Sequence, residues 1–135
     1  MTAPLRWRVE AGEATTRLRE TSDALDAVLT SRGVSERGRL AARLVTEEVV
    51  LNAIEHGGAR YVSVEAGPES ETCRLVFVDD GAPFDPTTHR PLSGSGAPGK
   101  ARPRGRGLIL VHAFTRAIEH RFGGGHNRLS VLLVE

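Results

Sequence analysis

At 135 residues, with 39% hydrophobic residues and a formal charge of +1, the chain is long enough to close one core and too short for two. A net charge near zero gives no sign of a nucleic acid or a membrane surface as partner, and the longest strongly apolar stretch, residues 108–111, is far too short to span a bilayer. The single cysteine, Cys73, rules out an internal disulfide, and the N-terminus carries no apolar signal core, so the expectation is one soluble, cytoplasmic domain over residues 1–135. The charge is unevenly spread. Residues 1–85 hold 15 acids and 10 bases, whereas residues 86–135 hold 2 and 8. Five of those bases, Arg90, Lys100, Arg102, Arg104 and Arg106, fall in or beside a Pro/Gly/Ser-rich stretch, which points to an anionic ligand, phosphate above all.

In chain order, a short strand over residues 5–9 precedes a helix over 14–31, where Leu18, Leu25, Val28 and Leu29 recur at helical spacing and Gly33 supplies the stop. Ser35 is the natural N-cap of a second helix reaching His56, with Leu40, Leu44, Val45, Val49 and Leu51 as its apolar contacts and Gly57-Gly58 ending it. Strands over 61–66 and 72–80 follow, joined by a Gly-Pro turn. Residues 81 to about 106 exceed the usual connection length and read as a functional loop, a mobile lid at about 86–104. A buried helix over 108 to about 115 comes next, then strands over 117–122 and 129–134 around the turn at 123–127. This order predicts an α+β, two-layer α/β sandwich: a mixed, mainly antiparallel sheet with helices on one face.

Three pieces of this chain carry chemistry. On the second helix, Glu48 and Asn52 lie within about 40° of each other at about 100° per residue, beside Leu44, Val45 and Leu51, in a stripe expected to be buried. Glu47 falls elsewhere, where an ion pair with Arg43 accounts for it. An amide oxygen is a hard ligand suited to Mg²⁺, and a carboxylate one turn away can orient or deprotonate a hydroxyl; a polar pair capping buried backbone would have the same pattern. At the exit of the 72–80 strand, Asp79 shares a face with Phe77, Leu75 and Cys73. A carboxylate beside apolar side chains can accept the amino hydrogens of adenine, with Gly81 allowing close backbone approach, although Asp-Gly turns are common. Finally, Gly105-Arg106-Gly107 opens the apolar helix, a natural phosphate site, yet without the spacing or the Lys-Ser/Thr ending of a Walker-type loop. The histidines show no metal-ligand spacing, and His56 at a helix C-terminus is read as structural, as Trp7 and Phe114 are read as core.

In this order, the three pieces resemble the N, G1 and G2 boxes of the GHKL or Bergerat-fold ATP-binding superfamily. More narrowly, Glu48-Val-Val-Leu-Asn52-Ala-Ile-Glu-His56-Gly57, Asp79-Asp-Gly-Ala-Pro-Phe-Asp-Pro86 and Gly105-Arg-Gly-Leu-Ile-Leu-Val111 look like the anti-sigma-factor serine kinases of bacterial partner-switching systems. The resemblance implies an ATP-dependent protein serine/threonine kinase in which Asn52 coordinates the Mg²⁺ on the ATP phosphates and Glu48 is the base toward the acceptor hydroxyl. It likewise implies that Asp79 binds the adenine amino group, that Gly81 floors the base pocket, and that Gly105 and Gly107, with the neighbouring basic lid, hold the phosphates. The partner it implies is a STAS-fold anti-anti-sigma protein, with a sigma factor as a second partner, and a homodimer is expected by resemblance alone. Pro83 departs from the superfamily, many of whose members have glycine there, and the lid matches no transferable pattern, so Arg104 and Arg106 are candidates by charge alone. Two other functions stay open: a nucleotide-binding adaptor that sequesters its partner without phosphorylating it, and a simple ATPase in which water replaces the serine.

Overall fold

The computed structural model describes residues 5–71, 73–85 and 111–134. The lid, with Arg104, and the whole Gly105-Arg106-Gly107 turn therefore lie outside the described residues. Strand β1 (Leu5–Glu10) leads into helices α1 (Ala14–Ser31) and α2 (Glu36–Glu55), then β2 (Tyr61–Ala66), β3 (Arg74–Asp79), β4 (Thr115–Gly123) and β5 (His126–Leu133). The five strands form one sheet in the order β1-β2-β3-β5-β4, antiparallel at every pairing.

Local chemistry accounts for the helix boundaries. Past α1, Gly33 has a φ of 78°, its N–H donates to the Thr30 carbonyl, and the Val34 N–H reaches back to the Leu29 carbonyl. That is a Schellman motif, which satisfies carbonyls the helix leaves open and turns the chain at once. Ser35 then caps α2, its Oγ accepting the Gly38 N–H at 3.1 Å.

The two layers meet along one face of the sheet. Period-two alternation places Val9, Val62, Val64, Leu75, Phe77, Leu129 and Val131 on that face, all buried. Against them lie Leu18, Leu25 and Leu29 of α1 and Ala41, Ala42, Val45 and Val50 of α2, in one core cluster. Trp7 and Phe114 are partly buried against this cluster, and Cys73 is a buried thiol in no disulfide.

Several sequence expectations change. Leu40, expected as an apolar contact, is 49% exposed, because the buried line of α2 runs through the small residues Ala41, Ala42 and Val45 and leaves Leu40 on the outer side. Arg43 pairs with Asp23 of α1 at 3.3 Å, not with Glu47, since the helices approach closely enough for the cross-helix partner to be nearer. The residues expected at the end of the 108–115 helix are helical only at 111–113 within the described chain, and Thr115 already belongs to β4. Most consequential is the last hairpin. Gly124 and Gly125 have φ values of 59° and 80°, so they alone make a two-residue turn, with Gly123 opposite His126. His126 and Asn127, read from sequence as turn residues, are instead the first residues of β5.

Candidate nucleotide-binding site

A cleft open to solvent lies between α2 and the sheet at the end of β3. Its walls are apolar, from Val49 and Ala53 of α2, Leu129 of β5, Val111 and Phe84. The polar groups are few: Asn52 from α2, Asp79 from β3, Asn127 from β5 and His120 from β4. An apolar cleft with a few converging polar groups is the usual form of a small-molecule site.

Strand register brings the polar groups together. Val62, Asp79 and Asn127 lie side by side across β2, β3 and β5 on the core-facing side. Asp79 is 8% exposed, at the point where the apolar row Leu75-Phe77 reaches the strand end. Its Oδ1 accepts the Gly81 N–H at 2.8 Å and the Asn127 Nδ2 at 3.1 Å. Oδ2 accepts no hydrogen bond among the described residues, so the carboxylate keeps one oxygen for an incoming donor.

The adjacent carboxylate faces the other way. Asp80 accepts the Arg60 and Tyr61 N–H groups on Oδ1, at 2.7 and 3.3 Å, and the Arg60 Nε on Oδ2 at 2.8 Å. Burial raises its pKa, but the hydrogen bonds from the Arg60 side chain and from the two amides, together with the Arg60 charge, outweigh that and hold it below the ordinary carboxylate value. Asp80 thus ties the end of β3 to the α2–β2 connection, while Asp79 is left to the cleft.

Gly81 is needed for a tertiary reason. A Cβ there would come within 2.8 Å of the Gly57 carbonyl oxygen and 3.2 Å of the Ala59 nitrogen. The turn after β3 packs directly on the turn that ends α2, and the Ala82 N–H donates to the same Gly57 carbonyl at 2.8 Å. The backbone that Gly81 approaches is therefore the protein's own, and the cleft lining at this turn is Gly57 and Ala82.

On α2, Glu48 and Asn52 share an edge one turn apart, as the spacing requires, but both are half-buried and not inside the buried stripe. The centre of that stripe is Ala41, Ala42, Val45 and Val50, and the fully buried polar residue of the helix is Thr46. Asn52 lines the cleft, whereas Glu48 lies one turn back along the helix, outside the immediate lining. His56 is the exposed C-cap residue, its N–H donating to the Asn52 carbonyl.

Asn127 is the site residue that sequence reading missed. It is 5% exposed, and its Nδ2 donates to Asp79 Oδ1, to the Ala82 carbonyl at 2.9 Å and to the Gly81 carbonyl at 3.4 Å. Its Oδ1 accepts the Phe84 N–H at 3.1 Å and faces His120 Nε2 at 2.8 Å. The only signal in the sequence is the Gly124-Gly125 pair, which as a two-residue turn would put Asn127 on the strand.

This donor set suits a nucleotide and a hard cation. A buried acceptor oxygen at the end of an apolar cleft fits an exocyclic amino group and the base that carries it. The Asn52 amide oxygen on the cleft wall is a hard donor of the kind that can hold Mg²⁺ when phosphates and water supply the remaining ligands. No helix among the described residues is long and apolar enough to cross a membrane. No curated protein matches the chain significantly. Residues 12–132, nearly the full length, match the histidine kinase-like ATPase domain. With that match spanning both helices, all but the first strand and the whole described cleft, the chain belongs to the histidine kinase-like ATPase family, whose nucleotide is ATP.

Proposed function

We propose that this protein is an ATP-dependent protein serine/threonine kinase that works in the cytoplasm as an anti-sigma factor or analogous partner-switching regulator, with a STAS-fold anti-anti-sigma protein as its substrate. The observation that carries this reading is the position of Glu48, a carboxylate one helical turn from Asn52 on the same edge of α2. A protein that only bound ATP would need Asn52 and Asp79 more than it would need a carboxylate there.

In this reading, Asp79 Oδ2 accepts the adenine amino hydrogen while Val49, Ala53, Val111 and Leu129 pack on the base. Gly105, Arg106 and Gly107 hold the phosphates. Mg²⁺, when bound, neutralises phosphate charge, with the Asn52 Oδ1 as its protein ligand. Glu48 takes the proton of the substrate hydroxyl as its oxygen bonds to the γ-phosphorus, and the bond to the ADP oxygen breaks.

The test is incubation with ATP, Mg²⁺ and the candidate STAS protein, followed by mass spectrometry of the partner. Phosphate added to one serine or threonine is the expected result. Tight partner binding with no added phosphate would replace the kinase reading with a nucleotide-gated adaptor, and ATP hydrolysis without transfer would replace it with an ATPase.

A further inference from the structure

His120 lines the cleft from the edge strand β4, with its side chain only 8% exposed, yet the reading above gives it no task. Its neighbours settle how it bonds. Asn127 Nδ2 faces three oxygens, so it must be the donor end of the amide, and Oδ1 then has only acceptor capacity for Phe84 and His120. The proton shared between His120 and Asn127 must therefore sit on His120 Nε2. The other ring nitrogen, Nδ1, lies 3.8 Å from Asp85 Oδ1.

We propose that His120 is a positioning residue for recognition of the base amino group, acting through the Asn127 amide on the carboxylate of Asp79. The chain of contacts is continuous: His120 Nε2 to Asn127 Oδ1, Asn127 Nδ2 to Asp79 Oδ1, and Asp79 Oδ2 to the cleft. A carboxylate rotated about its last bond would present either oxygen, or neither, at a useful angle. Two donors on Oδ1, from Gly81 and Asn127, define the rotation, and His120 defines the amide plane that supplies one of them. Removing the His120 N–H leaves a buried amide oxygen short of a donor, and the amide regains the freedom to turn toward another partner.

This inference rests on ATP binding through Asp79 and not on phosphoryl transfer, so it is tested by binding alone. Affinities of the full chain are measured for ATP and for purine riboside triphosphate, which lacks the 6-amino group. Wild-type protein is expected to prefer ATP by about tenfold or more, the value of a hydrogen bond to a charged acceptor. In His120→Leu that preference falls below about threefold, while His120→Gln, which keeps an N–H donor of similar reach, retains most of it. Asn127→Asp, which sets a carboxylate against Asp79, removes the preference as well, and melting temperatures taken without nucleotide separate this from loss of fold. A His120→Leu protein that weakens both ligands by the same factor, or a His120→Gln protein as impaired as His120→Leu, would overturn the positioning role. Wild-type protein that binds ATP with no preference over purine riboside triphosphate would overturn the Asp79 assignment and this inference with it.

Discussion

On the strand side of the cleft, Asp79 and Asn127 are nearly inaccessible, and their side chains take part in six hydrogen bonds among the described residues. On the helix side, Asn52 is half-buried and its amide makes no side-chain hydrogen bond among the described residues, and Glu48 sits at the same half-buried edge. The strand side is finished by folding: its groups are already oriented, so a base arriving there meets a fixed acceptor at no cost of reorganisation. The helix side is less enclosed: Glu48 and Asn52 stand one turn apart at the half-buried edge of α2, and Asn52 faces the open cleft. Such a division suits a site that first selects its nucleotide and then acts on the far end of it.

Three substitutions put this contrast to the test. The largest effect belongs to the helix side: Glu48→Ala is expected to slow phosphoryl transfer by about 10²-fold or more, the contribution of a general base, while the ATP dissociation constant stays within about twofold. Phosphopeptide mass spectrometry and calorimetric titration on the same sample read the two quantities, and a comparable loss of affinity would erase the distinction between the walls.

On the strand side, the reverse pattern is expected. In Asp79→Asn, the amide oxygen stays where Gly81 and Asn127 donate, which turns the new amide nitrogen, a donor, toward the base amino group. Affinity for ATP should fall about 10- to 100-fold, because one buried hydrogen bond is removed and two donors are left facing each other. Titration by calorimetry checks it, and an unchanged affinity would mean that the base binds elsewhere.

The smallest effect concerns the carboxylate that supports the strand side from behind. Because Asp80 has its pKa depressed in the folded protein, it contributes stability above the unfolded Asp value of about 4, and that contribution is lost as pH falls through the folded value. Wild-type protein should therefore melt above Asp80→Asn at neutral pH, with the gap closing as the pH drops below about 4. A gap that is constant across that range would assign the Asp80 interactions to packing and not to charge.

How much of this is legible in the sequence differs between the walls for a physical reason. The helix wall is readable because helical periodicity is local: four residues apart means one turn apart, whatever else the chain does. Only its depth is misjudged, since whether Glu48 and Asn52 lie inside the stripe or at its edge depends on which face of α2 meets the sheet. The face chosen is the one with Ala41, Ala42 and Val45, whose small side chains let α1 and the sheet approach, and it leaves the larger Leu40 outside. Half of the strand wall is also visible, because Asp79 ends an apolar alternation that needs no partner to be seen.

Asn127 and His120 are not visible in this way. Each is 40 or more residues from Asp79, and only the pairing of β3 with β5 and of β5 with β4 makes them neighbours. A two-residue shift in where the last hairpin turns is enough to move Asn127 from a loop tip to the centre of the site.

Helix and strand periods, caps and glycine turns act over a few residues, and for that reason the elements, their order and the Asp79 and Glu48/Asn52 positions follow from the amino-acid sequence without reference to the fold. Other outcomes needed the folded chain: that Asp80 turns to Arg60, why residue 81 has to be glycine beside the Gly57 carbonyl, and that Asn127 fixes the Asp79 carboxylate. They depend on register between strands distant in the chain and on the close approach of two turns, and neither is encoded in any local pattern of residues.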